Sequence, residues 1–137
     1  YGTFQTPSDY VGVMTTFINQ LIDKKPLTIF GDGNQRRDFV SVLDIAQANM
    51  LAAFSDVEGT FNVASGNDLS INELADLIIK QNKSGSKIYK DKPSGEVDKI
   101  VADISKIKEA LGYKPLNGVE QSLPEIIQWW KKKKHSR

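Results

Sequence analysis

The sequence has no cysteine and a single histidine, His135, the third residue from its end. Without thiols there is neither a disulfide framework nor a thiolate cage for zinc, and one imidazole removes most metal and Ser-His-Asp chemistry from these residues. Long apolar runs are missing too. Asp, Lys or Asn breaks each apolar cluster within a few positions, well short of the roughly 18 residues that a membrane helix needs. An excess of one charge is also missing. Eighteen basic and seventeen acidic residues leave +1, and Lys131, Lys132, Lys133, Lys134 and Arg137 crowd the last seven positions. The other thirteen basic residues against seventeen acidic ones leave a body of −4, which is not the basic face that a nucleic-acid groove requires. The basic tail, residues 131–137, reads as a solvated helix end that complements the helix dipole. No nucleic-acid or membrane partner is expected, and the compartment expected is the cytoplasm. The first residue is Tyr1 with no charged-then-apolar leader after it, so the chain reads as processed or cut from something longer.

What is present suits an α/β unit. Apolar residues make up 39% of the 137, enough for one packed core, and without internal repeats residues 1–137 read as a single unit. Met14, Phe17, Ile18, Leu21 and Ile22 recur at helical spacing and predict a helix from Tyr10 to Asp23, with Pro26 beyond it. Leu27 to Phe30 reads as a strand entering the turn Gly31-Asp32-Gly33, and Phe39 to Val42 as a second strand. Asp44 is expected to cap a helix carrying Ile45, Ala48 and Leu51 and ending near Phe54. Thr60 to Val63 is a third strand candidate, Ser70 and Glu73 form a capping box before Ile71, Leu74, Ala75 and Ile78, and Lys87 to Tyr89 is a short edge strand. Asp103 is expected to cap a helix with Ile104, Ile107 and Leu111, stopped by Gly112, and Ser122 to open a last helix with Pro124 in its first turn. The strands are too few for a complete doubly wound sheet.

The stretch richest in chemistry is Leu27 to Val40. An extended apolar segment ends in glycines, and Arg36 and Arg37 follow. A guanidinium grips phosphate oxygens with a fork of donors, so this suits an anionic ligand with a planar ring. The other reading is a surface pair, with Arg37 held by Asp38 or Asp44. No glycine-rich phosphate loop is present, because Gly31-Asp32-Gly33 lacks a third glycine and an apolar helix start.

The order of segments adds a resemblance. Tyr1-Gly2, Gly12-Val13-Met14, the Pro26 to Gly33 stretch, Arg37-Asp38-Phe39-Val40, Asp44-Ile45-Ala46, Phe61 to Gly66, Ser70 to Leu74, Gly95-Glu96-Val97 and Ala102 to Lys108 follow one another. In that order they resemble the C-terminal portion of the extended short-chain dehydrogenase/reductase family, the NAD-dependent nucleotide-sugar epimerases and dehydratases. The resemblance implies an α/β fold, the last elements of a Rossmann-type domain plus the small mixed α/β substrate-binding domain. It implies that Arg37 holds the diphosphate of a nucleotide sugar, that the Leu27 to Phe30 segment lies against its base with Phe30 as the ring contact, and that Glu96 accepts from the ribose hydroxyls. Val13 and Met14 would line the sugar pocket, and Tyr1 and Gly2 would pass near the nicotinamide half of NAD. The family's glycine-rich dinucleotide turn and its Tyr-x-x-x-Lys pair have no counterpart in this sequence. NAD would therefore be bound mainly by a missing N-terminal half, and no catalytic residue is expected here. The parent would be a homodimeric 4-epimerase, one that transiently oxidises and re-reduces C4 of a UDP-sugar. A 4,6-dehydratase, decarboxylase or reductase of the family, or a non-catalytic nucleotide-binding module, are the alternatives. Two departures bear on the site. Thr3-Phe4 stands where Pro-Arg is common, and Pro93-Ser94 replaces Arg-Pro, leaving Lys92 as the substitute cation. A helix such as 44–54 would then cover a sheet outside the chain, leaving an apolar patch beyond the ~300–600 Å² usual for a monomer.

Overall fold

A computed structural model describes residues 1–5 and 12–135. Tyr10 and Val11, expected in the first helical turn, and Ser136 and Arg137 of the tail lie outside the described residues. Helix α1 (Val13–Ile22) turns Met14, Phe17, Ile18 and Leu21 inward, the stripe expected from their spacing. Strand β1 (Leu27–Phe30) buries Leu27 and Ile29 on alternate positions. The Gly31–Gly33 turn then carries the chain out of the strand. Both glycines have positive φ, and a Cβ on Gly33 would stand 2.5 Å from the side chain of Asn72, so the turn needs glycine there.

Beyond the turn come β2 (Arg36–Arg37), α2 (Val42–Ala53), β3 (Leu69–Ser70), α3 (Ile71–Asn82), β4 (Lys87–Lys90), β5 (Lys99–Ile100), α4 (Ser105–Leu111) and α5 (Val119–His135). The strands form two small sheets. β1 pairs parallel with β4, Leu27 opposite Lys87, while β2 lies between antiparallel β3 and parallel β5. The larger core gathers α1, β1, α3 and α5, with Phe17, Ile18, Leu74, Ile78, Leu123 and Trp130 almost without solvent contact. Each such side chain contributes roughly 1.5–3 kcal/mol by leaving water. A smaller core holds Ala48 of α2, Ala64, Ile104, Ile107 and Tyr113. Among the described residues no helix is long and apolar enough to cross a membrane.

Four local expectations are corrected. The second strand lies at Arg36–Arg37, not Phe39 to Val42, because those two arginines are the residues that lie between β3 and β5. Helix α2 is capped by Ser41, whose Oγ accepts from the Leu43 N–H at 3.2 Å, not by Asp44. Asp44 falls inside the first turn, fully buried, and its carboxylate accepts from the Leu116 and Asn117 N–H groups and from Asn117 Nδ2 at 2.6 Å. Residues 60–63 form no strand, since no described strand runs beside them. Helix α5 begins at Val119 rather than Ser122, because the Gly118 carbonyl accepts both the Ser122 N–H and its hydroxyl and so closes one more turn. Pro124 is thus an interior residue of α5. The capping box of Ser70 and Glu73 forms as expected, and Asp103 accepts from the Ser105 N–H at the start of α4. The basic tail continues α5 as far as His135, with Lys134 paired to Asp23 and Lys133 over the rings of Trp129 and Trp130.

Candidate functional site

The pleat of β2 sorts the two adjacent arginines onto opposite faces. Arg36 binds Asp68 through Nε and reaches Glu73 at 3.2 Å, and the hydrogen bond to Asp68 pushes the guanidinium pKa above its ordinary value. Arg37 turns the other way, its Nη1 donating to the Arg36 carbonyl at 2.9 Å and its Nη2 lying 3.5 Å from Glu96 Oε1. The partners expected for Arg37 on the surface reading, Asp38 and Asp44, are engaged elsewhere. Asp38 accepts from the N–H groups of Ser65 and Gly66 and from the Ser65 hydroxyl, and Asp44 holds residues 116–117.

Arg37 faces a cleft of about 490 Å³. Val13, Phe17, Phe30, Phe39 and Ile71 make its apolar walls, Thr16 and Thr28 add hydroxyls, and Gln35, Arg37 and Glu96 form its polar end. Phe30 is 46% exposed, an aromatic face open to a ring. The loop of residues 91–98 brings in Glu96. Its Oε1 accepts from Gln35 Nε2 at 3.2 Å, whereas its Oε2 is buried with no hydrogen-bond partner. A buried carboxylate oxygen without a donor asks for one from outside the chain.

Four of the seven residues named from sequence, Arg37, Phe30, Glu96 and Val13, therefore line one cleft. Met14 does not. It is 4% exposed and packs into the larger core, because it lies on the inner face of α1 while Val13 lies at the helix start. Tyr1 and Gly2 lie elsewhere, against the start of α2. The Tyr1 carbonyl accepts from the Val42 N–H, its phenol donates to the Asn117 carbonyl, and a Cβ on Gly2 would stand 2.5 Å from Val42 Cγ1. Burial raises the Tyr1 phenol pKa. Lys92 pairs with Asp98, which raises its pKa, and its stem lies over Gly31 outside the cleft lining. Thr28 belongs to the Leu27 to Phe30 segment expected against the base, whereas Gln35, Thr16 and Ile71 were not expected in the lining, since nothing in their local pattern marks them.

A second cleft of about 500 Å³ lies between Phe39, residues 65–69 and residues 115–121. Its charged lining residues are Asp68 and Glu120, which are paired with Arg36 and Lys99 and with Lys80.

Residues 1–64 match the NAD dependent epimerase/dehydratase family. A putative UDP-glucose 4-epimerase of Methanocaldococcus jannaschii is 41% identical over 133 residues, 96% of this chain and 43% of that relative. UDP-glucose 4-epimerase of Thermotoga maritima, solved with UDP-glucose, superposes with a TM-score of 0.90 at 31% identity, covering 97% of this chain and 43% of that one. UDP-glucuronic acid 4-epimerase of Bacillus cereus, solved with UDP-glucuronic acid and NAD, gives 0.86 at 29% identity, covering 96% and 42%. The chain belongs to the NAD-dependent epimerase/dehydratase family, with its mixed α/β fold. It spans somewhat under half the length of these relatives, which act on or bind UDP-sugars by their names; UDP-sugar-acid decarboxylases are among the other similar proteins.

Proposed function

We propose that the cleft beside Arg37 binds the nucleoside diphosphate part of a UDP-sugar, as the substrate handle of a full-length NAD-dependent sugar 4-epimerase. The observation that carries this reading is the convergence of an arginine, an open aromatic face and a carboxylate with one unpartnered buried oxygen in a single cleft. In it, the Arg37 guanidinium takes the diphosphate, Phe30 lies against the uracil, and Glu96 Oε2 accepts from a ribose hydroxyl. Val13, in the lining of the same cleft, meets the sugar.

When bound, NAD supplies reversible hydride exchange at C4 of the sugar. This sequence has no glycine-rich turn for its pyrophosphate, so the residues here fit at most its nicotinamide end. Tyr1 and Gly2 would meet that end, on the surfaces that Asn117 and Val42 leave open. The chain's own contribution is grip. Binding energy gained on the nucleotide, remote from C4, orients the sugar and keeps a reaction intermediate from escaping.

Arg37→Ala in the full-length protein tests the reading by calorimetric titration with UDP. Affinity should fall about 30-fold, equivalent to ~2 kcal/mol, with a matching rise in KM for the UDP-sugar. Unchanged affinity and KM overturn it. A decarboxylase of UDP-sugar acids uses the same handle, and relatives of that kind favour it as the second reading. Incubation with UDP-glucose and with UDP-glucuronic acid separates the two, since one yields an isomer and the other releases carbon dioxide.

A further inference from the structure

Gln35 follows the Gly31–Gly33 turn and is 6% exposed, although nothing in its sequence surroundings demands a buried amide. Its Nε2 donates to the Phe30 carbonyl at 2.8 Å and to Glu96 Oε1 at 3.2 Å. Both partners are acceptors, so the amide nitrogen and not its oxygen must face them. Its backbone is pinned as well, the Gln35 carbonyl accepting from the Ile71 N–H at the start of α3. One side chain thus ties the end of β1, where the open ring of Phe30 stands, to a carboxylate 61 residues away.

The tie is one-sided. Gln35 and Arg37 both engage Oε1 of Glu96, and Oε2 is the oxygen left without a partner. With two donors on Oε1, the acceptor capacity that Glu96 has left lies on Oε2. That free oxygen, with two lone pairs, then fits a pair of neighbouring hydroxyls. We infer that Gln35 is a positioning residue that aims Glu96 Oε2 at a vicinal diol, so that the cleft selects a ribonucleotide over its 2′-deoxy counterpart. The inference rests on the nucleotide-binding reading of this cleft.

The test is calorimetric titration of UDP and of 2′-deoxy-UDP into the full-length protein and its Gln35→Met variant, which keeps the bulk and loses both donors. The wild type should prefer UDP by about tenfold or more, because a site built around a hydroxyl leaves its acceptor unpaired when the hydroxyl is missing. In Gln35→Met the preference should shrink to under about threefold, through weaker UDP binding with 2′-deoxy-UDP little changed. Arg37→Ala should weaken both nucleotides and lower the ratio less than Gln35→Met does, because Gln35 still holds Glu96 Oε1. A preserved ratio in Gln35→Met, or an equal loss for both nucleotides, overturns the positioning role. A wild type that binds both without preference overturns it too, while leaving the nucleotide-binding reading standing. A wild type that binds neither sinks that reading. If Gln35→Met does not fold, Gln35→Ala, which removes both donors without adding charge, carries the same comparison.

Discussion

Asp44 illustrates how one residue type serves two roles that look alike in sequence. An aspartate before an apolar helical stripe reads as a cap, yet here the cap is Ser41 and the aspartate joins α2 to a loop more than seventy residues on. No local pattern encodes a partner at that distance, so this role was not legible. Asp44→Ala should lower stability by about 2 kcal/mol, since it removes a buried acceptor that three part-buried donors share. Asp44→Asn, which still accepts through one oxygen, should cost less. Denaturant midpoints of the two variants check the order, and a neutral Asp44→Ala would contradict it. Tyr113 is a simpler case, fully buried with its hydroxyl donating to the Ala64 carbonyl at 2.9 Å. Tyr113→Phe should cost about 1 kcal/mol, read in the same way.

Helices were more legible than strands. The stripes of α1 and α3 repeat at 3.6 residues over three turns, and the capping box marks the start of α3. β2, β3 and β5 are two residues each, too short for any alternation to show, and they exist because they pair with one another. Residues 60–63 are the converse, a strand-like sequence with no described partner. Of the cleft, Arg37, Phe30 and Glu96 were readable because each has a distinctive chemistry in an ordered series of motifs. Gln35 and Ile71 enter it only through tertiary packing. The small sheet also sets an acid response. Lys99 and Arg36 both hydrogen-bond Asp68 and hold its carboxyl below the ordinary 3.8. A depressed native pKa means that the unfolded chain binds the proton more readily. The stabilisation is therefore present above about 3.8 and is lost as pH falls through the native value. Between roughly pH 5 and 2 the wild type should lose more stability than Asp68→Asn. Urea midpoints at pH 7 and pH 3 measure this, and parallel losses would refute it.

At the scale of the whole molecule, the outer face of α2 has no cover among the described residues. Val42, Leu43, Met50 and Phe54 are exposed, Phe54 to 88%, and the unpaired residues 60–63 follow. These exposed apolar side chains lie on the helix expected to carry an uncovered face, on a chain that spans 43% of its curated relative in Methanocaldococcus jannaschii. The account predicts that the 137-residue chain by itself self-associates as concentration rises, and that Leu43→Glu with Met50→Glu reverses this. Sedimentation velocity across a concentration series reads the outcome, and an ideal monomer throughout would mean that this face needs no partner.

On the proposed function, the cleft between α1, β1 and β2 holds the nucleoside diphosphate. The most direct measurement is a crystal structure of the full-length protein with a UDP-sugar. The account predicts the diphosphate on the Arg37 guanidinium, the uracil over Phe30 and a ribose hydroxyl donating to Glu96 Oε2. A diphosphate in the second cleft beside Asp68 and Glu120, with Glu96 Oε2 still unpartnered, would contradict it.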